Sequence, residues 1–300
     1  MTKIRSTDSS MIDDRRGSGG GGGGGGFPGL GGGGFPIPMK AGGGLLGLIV
    51  VLAALFLPKL LGSSSTAAGV PQPVDRTGAA AAEPSCSSDL EQIVCGATDD
   101  VQNYWQTNMP ALFGGAYTPT KTVLFTDAVD TGCGQATSQT GPFYCPVDHL
   151  VYIDLGFMQA LEQQLIGKPT DLAEKYIIAH EYGHHIQNLL GINTQVQQAQ
   201  QNDPGRANQY SVAMELQADC YAGMWVGDVA SRGLLDSADE INEALDAAAG
   251  VGDDRIQQKM QGRIDKEAWT HGSAEQRQTW FTRGYNSGDP KQCDTFSEVL

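Results

Sequence analysis

The stretch Asp171-Leu-Ala-Glu-Lys-Tyr-Ile-Ile-Ala-His180-Glu181-Tyr182-Gly183-His184-His185-Ile-Gln-Asn-Leu-Leu-Gly191 reads as one helix with its chemistry at mid-length. Asp171 followed by Glu174 has the form of a capping box that opens a helix. Leu172, Tyr176, Ile177, Ala179, Ile186, Leu189 and Leu190 supply the apolar content, and Gly191 suits a left-handed stop. Residues four apart share a helix face. His180 and His184 can therefore offer two imidazole nitrogens to one Zn²⁺, each at about 2.0–2.1 Å. Glu181 sits beside the first of them, rotated away. There its carboxylate reaches a water on the metal without taking a coordination position. A chain of this composition would produce such a His-Glu-x-x-His string by chance about 0.003 times, so the motif is taken as functional.

Two histidines and a water leave tetrahedral zinc one protein ligand short. Ser211 to Trp225 reads as a second, mostly apolar helix closed by Gly233, and it carries Glu215 and Asp219 four residues apart. A carboxylate in an apolar setting is costly unless paired or bound to metal. Glu215 is assigned as the third ligand. Asp219, one turn on, is expected to accept a hydrogen bond from a ligating histidine and fix its orientation. His271 and Tyr221 are the candidate donors to a developing oxyanion, with His271 preferred as the catalytic partner of Glu181. His271 precedes Ser273, which reads as an N-cap with Gln276 completing a capping box, ahead of a last helix over 273–285. Tyr221 reads mainly as core, His185 as a polar contact, and Gly252-Asp-Asp-Arg255 as a helix cap rather than a calcium loop.

Lys121–Thr126 and His149–Asp154 are β-like runs that bracket a loop holding Cys133 and Cys145. An edge strand near the metal would align an extended peptide by strand addition. All six cysteines follow residue 85, and an even count in an outward-facing domain suggests disulfides. Sequence does not choose among the pairings. Short loops favour Cys86–Cys95 and Cys133–Cys145, which leaves Cys220–Cys293.

The 300 residues carry 34 acidic and 19 basic side chains, a net charge of −15. Split after Leu61, the N-terminal piece has 6 basic against 3 acidic residues, and the remainder 13 against 31. An acidic body lacks the basic footprint of a nucleic-acid binder, so no nucleic-acid partner is expected. Residues 1–40, with a glycine run from Gly17 to Gly34, are expected to be a disordered cytoplasmic tail. Ala41–Leu57 is uncharged and just long enough to span a bilayer, so residues 41–61 are expected to form a transmembrane anchor. The basic residues ahead of it place the N-terminus inside and the catalytic domain outside the cytoplasm, a single-pass protein of the cell membrane. Residues 62–84 read as a linker and 85–300 as the catalytic domain.

Several stretches together resemble the bacterial neutral zinc metallopeptidases. They are Asp14-Arg-Arg-Gly17, Gly141-Pro-Phe-Tyr-Cys-Pro146, Val151-Tyr-Ile-Asp154, Ala179-His-Glu-Tyr-Gly-His-His-Ile-Gln187, Glu215-Leu-Gln-Ala-Asp-Cys-Tyr-Ala-Gly223, Gly252-Asp-Asp254 and Thr270-His-Gly-Ser273. The likeness extends over nearly the whole chain outside the linker, and the glutamate arrangement is similar to that of thermolysin-like zincins. It implies an α+β, mainly helical zincin-like domain with a small β-sheet, a Zn²⁺ cofactor, and action on a peptide or protein substrate. The alternative is a non-catalytic zinc-containing binding or scaffold protein at the cell surface. Intact Glu181 speaks against it, because a closed structural site needs no base. Hydrolysis of a non-peptide carbonyl is a third reading. Oligomeric state is not legible.

Overall fold

The computed structural model describes residues 3–16, 85–161, 171–235, 237 and 239–300. Their order is β1 (Ile12–Asp14), α1 (Asp89–Phe113), β2 (Thr122–Phe125), β3 (Ala128–Thr131), β4 (Gly134–Thr137), β5 (Phe143–Cys145) and β6 (Leu150–Asp154). Helices follow: α2 (Leu155–Leu161), α3 (Asp171–Leu189), α4 (Ile192–Asn202), α5 (Ala207–Ser231), α6 (Glu240–Gly250), α7 (Asp253–Gln261), α8 (Ala274–Ser287) and α9 (Thr295–Val299). The domain is thus mainly helical with two small sheets, as the sequence suggested.

Local chemistry sets the main elements. Ser88 caps α1 in a reciprocal box with Glu91, and Gly114 ends the helix in the left-handed conformation. Val94, Ala97, Val101 and Trp105 give α1 its buried stripe. Ser273 and Gln276 close the box predicted at the start of α8. The two predicted strands are β2 and β6, which pair in parallel as the inner strands of a sheet ordered β1-β2-β6-β5. The edge strand on the site's side is β5, antiparallel to β6. β3 and β4 form a separate hairpin, tied to β5 by Cys133–Cys145. All three disulfides follow the pairing favoured above.

The core lies where α5 packs on α3 and α8. The last contact is close because glycines meet backbone: a Cβ at Gly284 would stand 1.9 Å from the carbonyl oxygen of Cys220, and one at Gly223 2.0 Å from that of Phe281. Cys220–Cys293 fastens the same stretch of α5 to the chain after α8. On its other side α5 approaches α3 at Gly183, where a Cβ would lie 3.0 Å from the backbone of Ala218. This brings the His-Glu-x-x-His turn of α3 level with Glu215 and Asp219.

Two expectations are corrected. The first is that everything before residue 40 is tail. Residues 3–16 belong to the domain: β1 pairs in parallel with β2, and Ile4 and Ile12 are buried in the core. Arg5 donates to Asp171 at 2.9 Å, so that carboxylate holds the N-terminal segment. Arg16 pairs with Glu91, and Ser85 Oγ donates to Asp14 at 2.8 Å. The rest of the expected tail, the anchor at 41–61 and the linker at 62–84 lie outside the described residues.

The second is the single-pass membrane placement. No helix among the described residues is long and apolar enough to cross a membrane. One crossing between residues 41 and 61 would also part β1 from β2 across a bilayer, yet Ile12, Asp13 and Asp14 are in register with Thr122, Val123 and Leu124. The transmembrane helix, and the inside-outside topology built on it, are therefore not supported.

Candidate metal centre

The mid-helix turn of α3 and the middle of α5 bring together the three side chains predicted as ligands. His180 Nε2 lies 3.1 Å from Glu215 Oε2, and His184 Nε2 lies 3.5 Å from Glu215 Oε1. One donor atom from each of the three fits within 4.8 Å of the others. Donors on a tetrahedral zinc are about 3.3–3.5 Å apart, given metal–ligand distances near 2.0–2.1 Å. Two imidazoles and a carboxylate are also the donor types zinc prefers. The residues present fit a zinc ion.

Each histidine is oriented from behind. Asp219, fully buried, accepts from His180 Nδ1 at 2.8 Å. Gln187 accepts from His184 Nδ1 at 2.8 Å. Its amide nitrogen is committed to Met214 O at 2.8 Å and Gln217 Oε1 at 3.0 Å, so Gln187 presents its oxygen to the ring. Both rings thus present Nε2 toward Glu215, the nitrogen that a neutral ring protonated on Nδ1 would offer to a metal. Asp219 predicts this role from sequence; Gln187 does not.

Asp219 is the centre of a second cluster. Arg277 of α8 donates to it twice, from Nε to Oδ2 and from Nη2 to Oδ1, each at 2.8 Å. The Tyr176 hydroxyl donates to Oδ1 at 2.5 Å. Burial pushes the Asp219 carboxyl up, but Arg277 and His180 hold it below its usual range. Glu215 is likewise raised by burial and then held well below the ordinary value by His184 and His180. Burial opposes charge on His180, yet the Asp219 and Glu215 carboxylates bring it up to about 10. Glu181, unlike Glu215 and Asp219, is raised from its ordinary value, chiefly by burial. Glu181 and Glu215 in the cavity wall and Asp219 behind it stand against one permanent cation, Arg277. A divalent ion would bring positive and negative charge into balance, as buried charges require.

His271 is buried and lines the same cavity. Asp253 holds it: Oδ1 accepts from His271 Nδ1 at 3.0 Å. Oδ2 takes the backbone N–H groups of Thr270, His271 and Gly272 at 2.7, 2.6 and 3.1 Å. The aspartates read as a helix cap instead fasten the turn before α8, with Asp254 accepting from Ala274 N at 2.7 Å. That leaves His271 Nε2 as the nitrogen free to act. Tyr221 is in the core, edge-on to Trp105 and Phe113. His185 is a buried bridge, with Nε2 donating to Thr118 O at 2.7 Å and Nδ1 accepting from the Tyr144 hydroxyl at 3.0 Å.

A cavity of about 190 Å³ contains His180, Glu181, His184, Glu215 and His271 in its wall. The remaining wall is mostly apolar and comes from β5, α3, α4 and α5. A metal ion held there would activate a water beside an apolar cleft, an arrangement capable of hydrolysis.

Comparison with known proteins agrees with this chemistry. Uncharacterized protein YpfJ of Escherichia coli (strain K12) is 41% identical over 297 residues, 98% of each chain. Uncharacterized protein Rv2575 of Mycobacterium tuberculosis (strain H37Rv) is 48% identical over 213 residues, 68% of this chain and 70% of its own. Uncharacterized protein Mb2605 of Mycobacterium bovis shows the same identity and coverage. No solved structure matches. Residues 1–296 match the family described as "Putative neutral zinc metallopeptidase", and the chain belongs to that family.

Proposed function

We propose that this protein is a zinc-dependent peptidase that hydrolyses peptide bonds within the cavity between α3, α4 and β5. The observation that carries this reading is the convergence of His180, His184 and Glu215 with Glu181 in one cleft. His180 Nε2, His184 Nε2 and the Glu215 carboxylate would hold the metal, with Asp219 and Gln187 fixing the two rings. A zinc ion bound there supplies Lewis acidity and lowers the pKa of a coordinated water toward about 7.

Glu181 contributes the mobile proton. Its carboxylate takes the proton of the attacking water and passes it to the departing amine nitrogen. Burial excludes competing solvent from that exchange and keeps the carboxylate basic. His271, held at Nδ1 by Asp253, donates from Nε2 to the developing oxyanion. Arg277 does not serve there, because its guanidinium is occupied by Asp219 and Tyr176.

The test compares purified wild-type protein with Glu181→Gln. Both should hold one equivalent of zinc, and only the wild type should cleave a denatured protein substrate. Equal cleavage by the variant removes Glu181 from the chemistry. Zinc bound at full stoichiometry with no cleavage by either protein supports a non-catalytic binding role instead.

A further inference from the structure

β5 and α3 each supply a wall of the cavity. Pro142, Phe143 and Pro146 line it from the strand and its two ends, and Ile177, Glu181 and His184 line it from the helix. β5 is only three residues long, and its one strand partner is β6. The Phe143 ring stacks on Tyr152 of β6, with centroids 4.9 Å apart, and Cys133–Cys145 ties the strand to the β3–β4 hairpin. These contacts fasten β5 to its own side of the domain. They do not set its distance from the metal helix.

The Tyr144 hydroxyl does. Among the described residues, two hydrogen bonds join α3 to β5, and both end on that oxygen, from His185 Nδ1 and Asn188 Nδ2 at 3.0 Å each. Their directions follow from a third contact. The Thr118 carbonyl can only accept, so it takes the proton on His185 Nε2 at 2.7 Å. Nδ1 is left to accept from the Tyr144 hydroxyl, whose oxygen accepts in turn from the Asn188 amide. Tyr144 is 3% exposed and His185 1%, so water does not compete for the hydroxyl's bond to the ring. His185 directly follows the candidate ligand His184, and Asn188 lies one turn beyond it. The strand is therefore pinned to the part of α3 that carries the metal site.

We infer that Tyr144 is a positioning residue for substrate: its hydroxyl, held by His185 and Asn188, clamps β5 to α3 and so fixes the width of the cleft in which a peptide lies against the metal. Walls set in advance spare an extended ligand the cost of ordering them. A small ligand that reaches only the metal gains nothing from the strand. This rests on the peptidase reading, but it is tested by binding as well as turnover.

The experiment adds Tyr144→Phe or Asn188→Ala to the zinc-loaded Glu181→Gln protein. Each protein is titrated calorimetrically with a blocked apolar hexapeptide and, separately, with acetohydroxamate, a small metal ligand. Tyr144→Phe removes both bonds and should weaken the peptide about tenfold, the typical worth of one hydrogen bond. Asn188→Ala removes one bond, leaves the His185 contact, and should weaken it about threefold. Acetohydroxamate affinity and zinc content should stay within about twofold of the parent protein. With Glu181 restored, Tyr144→Phe should raise KM by the same factor as it weakens the peptide. A role confined to stability would lower the melting temperature and leave peptide and hydroxamate affinities moving together. Should Tyr144→Phe fail to fold, Asn188→Ala carries the test.

Peptide affinity unchanged in both variants, an equal loss for peptide and acetohydroxamate, or no peptide binding at all would each overturn the inference. Peptide binding that follows Tyr144 in a protein whose wild type cleaves nothing refutes the peptidase reading alone. Cleavage by wild type with a KM indifferent to Tyr144 and Asn188 refutes this inference alone.

Discussion

Asp219→Asn separates the two duties of the buried cluster behind the metal. Asp219 is completely buried and accepts four hydrogen bonds, two from Arg277 and one each from Tyr176 and His180. The Arg277 side chain is itself only 4% exposed. Asparagine keeps the size but removes the charge and turns one acceptor into a donor. The guanidinium is then buried without a counter-charge, a situation that costs about 3–5 kcal/mol. For a domain of this size each kcal/mol lowers the melting temperature by about 2–4 °C, so the metal-free variant should melt about 6–20 °C below wild type.

The second duty is to fix the His180 ring. Losing such a partner weakens metal binding about 10–100-fold. Thermal unfolding in chelator reads the first effect, and competition with a chromophoric zinc indicator reads the second. A variant that melts within 1 °C of wild type, given the ~6 °C minimum expected, would refute the buried-charge reasoning. Zinc affinity within about twofold of wild type would refute the orienting role.

Other outcomes follow from the same contacts. Gln187→Leu removes the acceptor behind His184 and should weaken zinc about 10–100-fold while leaving the Asp219 cluster intact, as the same indicator competition would show. Gly284→Ala drives a methyl into the Cys220 carbonyl, so α8 must move off α5. A loss of about 1–3 kcal/mol by urea titration is expected, and an unchanged midpoint would contradict the close crossing. The N-terminal strand should loosen in acid. Burial raises the Glu91 carboxyl, but Arg16 and the Ser88 and Ser87 N–H groups override it and hold it at about 2, below its ordinary 4.5. A carboxylate depressed by folding adds stability that is complete above about pH 4.5 and lost as the pH falls toward 2. Hydrogen exchange at residues 12–14 should accelerate across that window in wild type and already be fast at neutral pH in Glu91→Gln. Protection independent of both pH and Glu91 would contradict the clamp.

What was legible in sequence was whatever a single helix dictates. The fourfold spacing of His180 and His184, and of Glu215 and Asp219, defines faces before any tertiary contact forms. Caps such as Ser273 with Gln276 are equally local. The partners of buried polar groups were not legible, because tertiary packing chooses them. Nothing in the sequence marks Gln187 for His184, Asp253 for His271 or Arg277 for Asp219. Asp171 shows the same limit: its spacing to Glu174 suggests a cap, and its carboxylate serves Arg5.

The N-terminal strand is illegible in sequence for a related reason. Ile4 and Ile12 are isolated apolar residues in a polar stretch, and β1 is three residues long. Such a strand has no periodicity to detect and exists only because β2, more than a hundred positions later, pairs with it. The uncharged run after residue 40 has the composition of an anchor, but the sheet joins residues from before and after it in one domain.

The central claim is that α3 and α5 together hold one zinc ion. Anomalous diffraction from zinc-soaked crystals, recorded on both sides of the zinc absorption edge, tests it most directly. The account predicts a single strong peak about 2.0–2.2 Å from His180 Nε2, His184 Nε2 and a Glu215 carboxylate oxygen. Its absence there, or a peak bound by other side chains, would contradict the account.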